Sequence, residues 1–224
     1  RDAINNAVLS GLGWPAHVMS FDMKNPNWQK KWEYPYDPAQ AEKLLDQAGY
    51  KKGAGGVRFE MPLFVQTTSP ANYELGDAVA GYWAKIGVQT PVLKYSFTIF
   101  RPGLVARANT VPYLTQGDEG MTSIPYDWPH GTTLTSMTRG GFSAGMELPK
   151  VVEIFRKTSK EPDAQKRLAA NLELAQYYYD QALNPGVAVV PKPVTVNPKS
   201  IKAWPMHMSA FSQINSPEDI VLAR

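Results

Sequence analysis

Polar and aromatic side chains with binding chemistry concentrate in one irregular stretch of the 224-residue chain, residues 116–146. Asp118 and Asp127 carry carboxylates that can pair with a ligand ammonium through a charge-assisted hydrogen bond. Trp128 can supply an apolar wall beside Asp127, and Arg139 can hold a ligand carboxylate with its bidentate fork. Long stretches without hydrophobic period tend to be functional. These residue types therefore predict contacts to a charged ligand.

Each candidate also has a purely structural interpretation, which the sequence leaves open. Asp118 can lie in a solvated acidic turn, and Asp127 can form an aspartate turn beside a packed Trp128. Arg139 precedes a Gly-Gly pair and can be a surface arginine of a loop. Trp14, which follows a glycine-rich turn, can line a cleft or pack against the sheet.

Known catalytic patterns are not recognised in the sequence. Asp118 and Glu119 are adjacent, so their side chains diverge and make a poor acid–base pair. There is no Gly-x-Ser-x-Gly or Gly-x-Gly-x-x-Gly motif. The chain has no cysteine, which excludes disulfides and Cys-ligated zinc. His17, His130 and His207 lack metal-ligand spacing and are expected in loops or at the surface. We expect a protein that is not an enzyme and holds no metal or cofactor.

Composition places the chain among ordinary globular proteins, with 43% hydrophobic and 19% charged residues. The formal net charge of +3 is spread without long basic runs, which argues against nucleic-acid binding. No apolar run is long enough for a membrane span, and no signal peptide is recognised. Residues 1–8 resemble the middle of a helix, so we expect a fragment of a longer precursor.

Alternating strand and helix patterns predict an α/β fold, a mixed sheet covered by helices on both faces in one domain. Val57–Thr67 has the alternation of a strand, and Pro62 within it indicates an edge or a bulge. A helix beginning at Ser69-Pro70 and a strand over Val88–Tyr95 follow. This strand–helix–strand unit favours parallel pairing. Val187–Val190 is a candidate for a buried strand.

Residues 20–36 are rich in aromatics and have no clear period. Such a loop is expected to be ordered by aromatic packing on the domain beneath. The aromatic residues are Trp28, Trp32, Tyr34 and Tyr36.

The best-signalled helix follows this loop. Asp37 can cap it, Pro38 suits its first position, and Gly49 can end it in a left-handed conformation. The predicted apolar stripe consists of Ala41, Leu44, Leu45 and Ala48.

This helix segment, residues 35–50 with the sequence PYDPAQAEKLLDQAGY, resembles a recurring signature of family 5 extracellular solute-binding proteins. The opening helix with Pro15-Ala16, and Lys85-Ile86-Gly87-Val88 before a strand, are also similar to that family. Weaker similarities follow in the family's order at Arg167, Gln176, Pro185 and Val187.

The resemblance spans roughly residues 1–200 and implies a type II periplasmic-binding-protein-like lobe. Residues 1–224 would be the second, C-terminal lobe, with the first lobe missing. The implied function is the substrate-binding component of an ABC importer that captures a small solute, foremost a peptide, between its lobes. Its partners would be the ligand, its own N-terminal lobe and a membrane permease, but not nucleic acid. The implied location is periplasmic or extracytoplasmic, lipid-anchored or free. A hydrolase of peptides or carbohydrates, and a sensor or interaction module reusing the fold, remain alternatives.

The resemblance also implies site residues. In peptide-binding members, a strand is followed by a loop whose aspartate pairs with the peptide amino terminus. The matching stretch is Tyr113–Glu119, in which Asp118 is the aspartate and Gln116 stands where a tryptophan is expected. The stretch 126–129, Tyr126-Asp127-Trp128-Pro129, is the alternative counterpart.

Overall fold

The computed structural model describes residues 1–18, 21–67, 70–106, 112–114, 148–190, 195–204 and 220–223. The α-helices in these ranges are α1 Asp2–Leu9, α2 Pro38–Gln47, α3 Pro70–Lys85, α4 Phe97–Val105, α5 Pro149–Lys160 and α6 Ala164–Asp180. The strands are β1 Trp14–Pro15, β2 Phe59–Glu60, β3 Leu63–Gln66, β4 Val88–Gln89, β5 Val92–Tyr95, β6 Tyr113–Leu114, β7 Ala188–Val189, β8 Ile201–Ala203 and β9 Val221–Leu222. None of the described helices is both long and apolar enough to cross a membrane.

Parallel strands that pair around helix α3 form the centre of the fold. Strand β3 lies between β5 and β6 and pairs with both in parallel, and β2 pairs with β4 in parallel. Helix α3 follows β3, leads through β4 to β5, and packs against all three strands. The predicted strand–helix–strand unit with parallel pairing is therefore confirmed.

The strand predicted over Val57–Thr67 is interrupted at Pro62. Phe59 pairs with Val88 and Leu63 with Val92, so the register does not change across the interruption. This register sets Pro62 opposite Pro91, and neither proline has an N–H to donate. Pro62 lies between β2 and β3, and β2 pairs only with β4 among the described strands. The predicted edge therefore agrees with β2, whereas the predicted bulge is wrong because the register does not shift. The Met61 N–H still donates to the Gln89 carbonyl at 2.8 Å and the Leu63 N–H to the Pro91 carbonyl at 2.9 Å, so the two prolines remove donors without separating the strands.

Helix α3 approaches the sheet closely because residue 76 is glycine. A Cβ added at Gly76 would lie 2.6 Å from the Val65 Cγ2 atom, and Val65 is fully buried in β3. Real Cβ atoms do not approach so closely, so a side chain here would push helix and strand apart.

Replacing Gly76 by alanine is expected to lower the free energy of unfolding by about 1–3 kcal/mol, the usual cost of overpacking. The matched control is Gly81→Ala in the same helix, where an added Cβ meets no atom within 4 Å. That substitution should raise stability by about 0.5–1 kcal/mol through helix propensity alone. Urea unfolding measures both, and adding Val65→Ala should relieve part of the Gly76→Ala effect. Equal effects at both glycines would contradict the close approach.

A second core joins helices α5 and α6 to the aromatic loop. Val151, Ile154, Leu174 and Tyr178 from the two helices pack with Trp32, whose side chain is 0% exposed. Trp28 meets Trp32 edge to face, and Tyr34 stacks on Tyr179 with ring centroids 4.7 Å apart. These contacts confirm the prediction that aromatic residues order this loop. Tyr36 contacts Tyr82 but remains 65% exposed.

Helix α2 begins and ends as predicted. The Asp37 carboxylate accepts a hydrogen bond from the Gln40 N–H at 2.9 Å. Gly49 takes a φ of 89°, and the Tyr50 N–H returns to the Leu45 carbonyl at 2.9 Å. The helix therefore has both of its local end signals in place.

The predicted apolar stripe of α2 does not form a core contact. No residue of the helix is buried, and Leu44 is 53% exposed. Polar contacts hold the helix instead. The Arg58 side chain, 1% exposed, pairs with Asp46 and with Glu42 and donates to the Ile86 carbonyl at 2.9 Å. The stripe prediction fails because helical periodicity does not show whether another segment reaches that face.

Two short antiparallel pairs complete the described structure. Strand β1 pairs with β7, with Trp14 opposite Val189, and β8 pairs with β9. The buried strand predicted over Val187–Val190 is wrong in extent and burial. Only Ala188–Val189 form a strand, and both residues are half-buried, because a two-stranded pair covers only part of each strand.

Candidate functional site

The carboxyl ends of three parallel strands meet at one edge of the sheet. Strand β3 ends at Gln66, β5 at Tyr95 and β6 at Leu114. In open α/β sheets, ligands bind outside the carboxyl ends of the strands. This edge is therefore where the fold places a candidate binding site.

Hydrogen bonds and an aromatic pair keep this edge in shape. The Asn72 side chain, buried at the start of α3, donates through Nδ2 to the Gln66 carbonyl at 2.9 Å. The Thr67 N–H donates to the Tyr95 carbonyl at 3.0 Å. Phe64 and Tyr95 meet edge to face with ring centroids 5.7 Å apart. Tyr95, at 37% exposed, presents an aromatic surface at the strand ends.

Most of the predicted ligand contacts lie outside the described residues: Gln116, Asp118, Tyr126, Asp127, Trp128 and Arg139. They follow β6 in the chain, and β6 ends at the sheet edge just described. The connectivity thus leads from this edge into the predicted segment, and these six assignments stay predictions.

Trp14, the one predicted contact within the described residues, lies on β1 and is half-buried. Its indole Nε1–H donates to the Asp22 carboxylate, at 3.1 Å to Oδ1 and 3.3 Å to Oδ2. The Lys24 ammonium lies 3.5 Å from the ring centroid. Trp14 is therefore part of a polar cluster, and its assignment as a ligand contact stays a prediction.

Sequence reasoning missed the two partners of Trp14. Asp22 is 5% exposed, and its Oδ1 also accepts the Lys24 backbone N–H at 2.6 Å. That contact is an Asx turn, in which an aspartate bonds its own backbone two residues on. The Asp-x-Lys spacing was the available signal, but it indicates only a turn and does not name Trp14 as a partner.

His17 supports the strand that carries Trp14. Its carbonyl accepts the Gly186 N–H at 3.0 Å, and its Nδ1 accepts the Tyr34 N–H at 3.0 Å. The expectation of a loop or surface position is wrong as to the surface, because His17 is 7% exposed. Burial, with the nearby Arg1 charge as a smaller cause, lowers the pKa of His17 from 6.5 to about 4. His17 is therefore neutral at physiological pH and accepts a hydrogen bond.

The side chains at the sheet edge and around Trp14 can bind a ligand by aromatic stacking, by hydrogen bonding and by charge. Within the described ranges, no group of three or more His, Cys, Asp or Glu side chains could hold a metal ion. Chemistry of this kind suits recognition of a solute with apolar and charged parts.

Comparison with known proteins relates the chain to a family of binding proteins. The model of the family described as "Bacterial extracellular solute-binding proteins, family 5 Middle" matches residues 1–145. "Heme-binding protein A" of Haemophilus influenzae is 32% identical over 112 residues, which are 45% of this chain and 18% of the relative. "Dipeptide-binding protein" of Escherichia coli is 32% identical over 98 residues, covering 43% and 18%. The matched region is thus less than a fifth of each of these relatives.

Solved structures share the fold over nearly the whole chain. HbpA2 from Haemophilus parasuis superposes with a TM-score of 0.66 at 18% identity, covering 99% of this chain and 42% of that one. The α/β fold predicted from the sequence, that of type II periplasmic binding proteins, is therefore confirmed.

Proposed function

Because the chain belongs to the family 5 bacterial extracellular solute-binding proteins, we propose that it is part of the substrate-binding component of an ABC importer. It captures a small solute for delivery across the membrane. The observation that carries this proposal is the family match over residues 1–145. A peptide is the proposed solute, and the relative named as a dipeptide-binding protein supports that choice.

The proposed architecture has two lobes. Residues 1–224 form the second lobe, and the ligand lies between this lobe and a first lobe encoded elsewhere in the same protein. Closure of such a cleft by a hinge sequesters the ligand. The partners are the first lobe, the ligand and a membrane permease, and the location is extracytoplasmic, either free or lipid-anchored. The family's description as extracellular supports this location.

The proposed ligand contacts follow from the sheet edge. The segment after β6 would supply charged contacts through Asp118 or Asp127 and Arg139, with Gln116, Tyr126 and Trp128 around the ligand and Trp14 at β1. One aspartate would take the peptide ammonium and Arg139 the peptide carboxylate, since both pairings form charge-assisted hydrogen bonds. The ends of β3, β5 and β6 at one edge support this placement.

The proposal predicts that peptides stabilise the full protein that carries this chain. A ligand that binds only the folded state raises the Tm by mass action, so thermal melts with dipeptides and tripeptides should show a concentration-dependent increase. Amino-terminally acetylated peptides should bind more weakly, because they lack the ammonium. Asp118→Asn and Asp127→Asn form a matched pair, and the one that contacts the ammonium should weaken binding roughly 30-fold or more.

Three outcomes would change the proposal. A shift with haem or a metal chelate but with no peptide would keep solute capture and change the ligand class. No shift with peptides, sugars, chelates or haem would contradict solute capture. Recovery of cleaved peptide after incubation would favour a hydrolase, because the proposed role leaves the solute intact.

A further inference from the structure

The indole ring of Trp14 is held in a fixed plane. Strand β1 pairs with β7 through Trp14 and Val189, and a Cβ at Gly13 would lie 2.4 Å from the Val189 carbonyl, so the two strands are in close contact just before the ring. At the other end, both oxygens of the Asp22 carboxylate accept from the indole N–H. The ring is therefore preorganised rather than free to rotate.

The same contacts make the face of this ring attractive to a cation. Tryptophan offers the best aromatic surface for an ammonium group. A carboxylate that accepts the indole N–H adds electron density to the ring and places a negative charge nearby. Asp22 is 5% exposed, so its charge is less screened by water than that of a surface aspartate.

The chain's own Lys24 now uses this face. Its ammonium lies 3.5 Å from the ring centroid, within contact distance of the ring. Lys24 is exposed and has a flexible side chain, and exposed cation–π contacts are weak. The Lys24 backbone is anchored by the Asx turn to Asp22, so the side chain can leave the ring while the loop stays in place.

We propose that the Trp14 ring face is a cation-binding subsite for an ammonium group of the captured solute, and that Lys24 occupies it until that solute binds. This ammonium group is carried by a side chain or a tail of the solute. The inference rests on the proposed solute-binding function. Lys24 then acts as a competitor that the solute ammonium must displace, whereas a neutral solute leaves it in place.

The test uses tetramethylammonium chloride as the probe, because this cation has no N–H and binds aromatic faces through its charge. The full protein is titrated at constant ionic strength, and the Trp14 indole N–H resonance is followed by NMR after assignment with Trp14→Phe. Lys24→Met removes the competing cation at similar length, and Lys24→Gln is a second such variant. Both should lower the Kd for tetramethylammonium by about 2-fold to about 30-fold.

Two controls separate this effect from general ones. Lys85→Met removes another lysine, whose ammonium lies 4.7 Å from the Tyr82 ring, and should leave the Trp14 titration unchanged. tert-Butanol, a neutral molecule of similar shape, should not give a saturable shift. An unsaturable Trp14 response in the Lys24 variants, or equal Kd values with and without Lys24, would overturn the inference.

The readout is independent of peptide binding. Failure with tetramethylammonium alongside a peptide-dependent rise in Tm would reject the subsite and leave solute capture intact. A saturable Trp14 response without stabilisation by any solute would show that the ring face binds a cation, but it would reject solute capture and with it the role of this face as a solute subsite.

Discussion

Replacing Trp32 by alanine is expected to lower the free energy of unfolding by about 4 kcal/mol, within the usual range for a buried tryptophan. Trp32 is 0% exposed and meets Trp28 edge to face with ring centroids 5.3 Å apart. Its Nε1–H donates to the Gln176 side-chain oxygen at 3.0 Å, which ties the aromatic loop to α6. Alanine would leave a large cavity and remove this bond. Urea unfolding of the full protein measures the change.

Trp32→Phe is the matched control, since it keeps an aromatic ring but has no N–H. It should cost about 1–3 kcal/mol, from the lost bond and the smaller ring. Trp28→Ala should lower the free energy of unfolding less than Trp32→Ala does, because Trp28 is only half-buried. A loss below about 1 kcal/mol for Trp32→Ala would mean that the loop is not docked on the helix pair.

Stability should fall as the pH drops from 6.5 to about 4, and His17 should account for part of that loss. The pKa of His17 is about 4 when folded and 6.5 as the ordinary value, so the unfolded chain binds the proton first. The contribution is fully present above pH 6.5 and is lost as the pH falls toward 4. At 1.36 kcal/mol per pKa unit it amounts to about 3 kcal/mol at most.

The matched variant for this effect is His17→Asn. The Asn side-chain oxygen can accept the Tyr34 N–H as the His17 Nδ1 does, but it does not titrate in this range. Arg1 and the amino terminus lower the pKa of His17, whereas Glu33 and Asp2 raise it, so these charges are kept in both proteins. Unfolding free energies measured across this range should show a steeper pH dependence in the wild type. Parallel curves would show that His17 does not titrate on unfolding.

The ends of helix α2 show what could be predicted from short segments. Asp37 caps the helix and Gly49 ends it, as their residue types indicate. Each signal acts through a hydrogen bond or a backbone angle within one turn, so the residues that decide it are adjacent in the sequence.

Pro62 and the α2 stripe show where local reasoning stops. Proline at 62 predicts a missing donor correctly, but only the structure shows that Pro91 lies opposite it and that the register continues from β2 to β3. The apolar residues of α2 repeat with the period of a helix, yet Leu44 is exposed. Whether a face is covered depends on which other segment arrives there.

The candidate site divides in the same way. Trp14 could be singled out by its type and its position after a glycine-rich turn. Its partners Asp22 and Lys24 could not, because a turn signal does not state which side chain the aspartate will also bind. The assignments from Gln116 to Arg139 rest on residue types and the family resemblance, and they stay predictions.

The sequence by itself determined the α/β class, the ends of helix α2 and the family, because periodicity, capping and the residues of a signature segment depend on neighbours within a few residues. Only the tertiary structure decided that His17 is buried and neutral, that Lys24 covers Trp14, and that Gly76 lets α3 approach Val65. Those features depend on desolvation and contact between segments far apart in the chain, and such distances are set by packing of the whole fold.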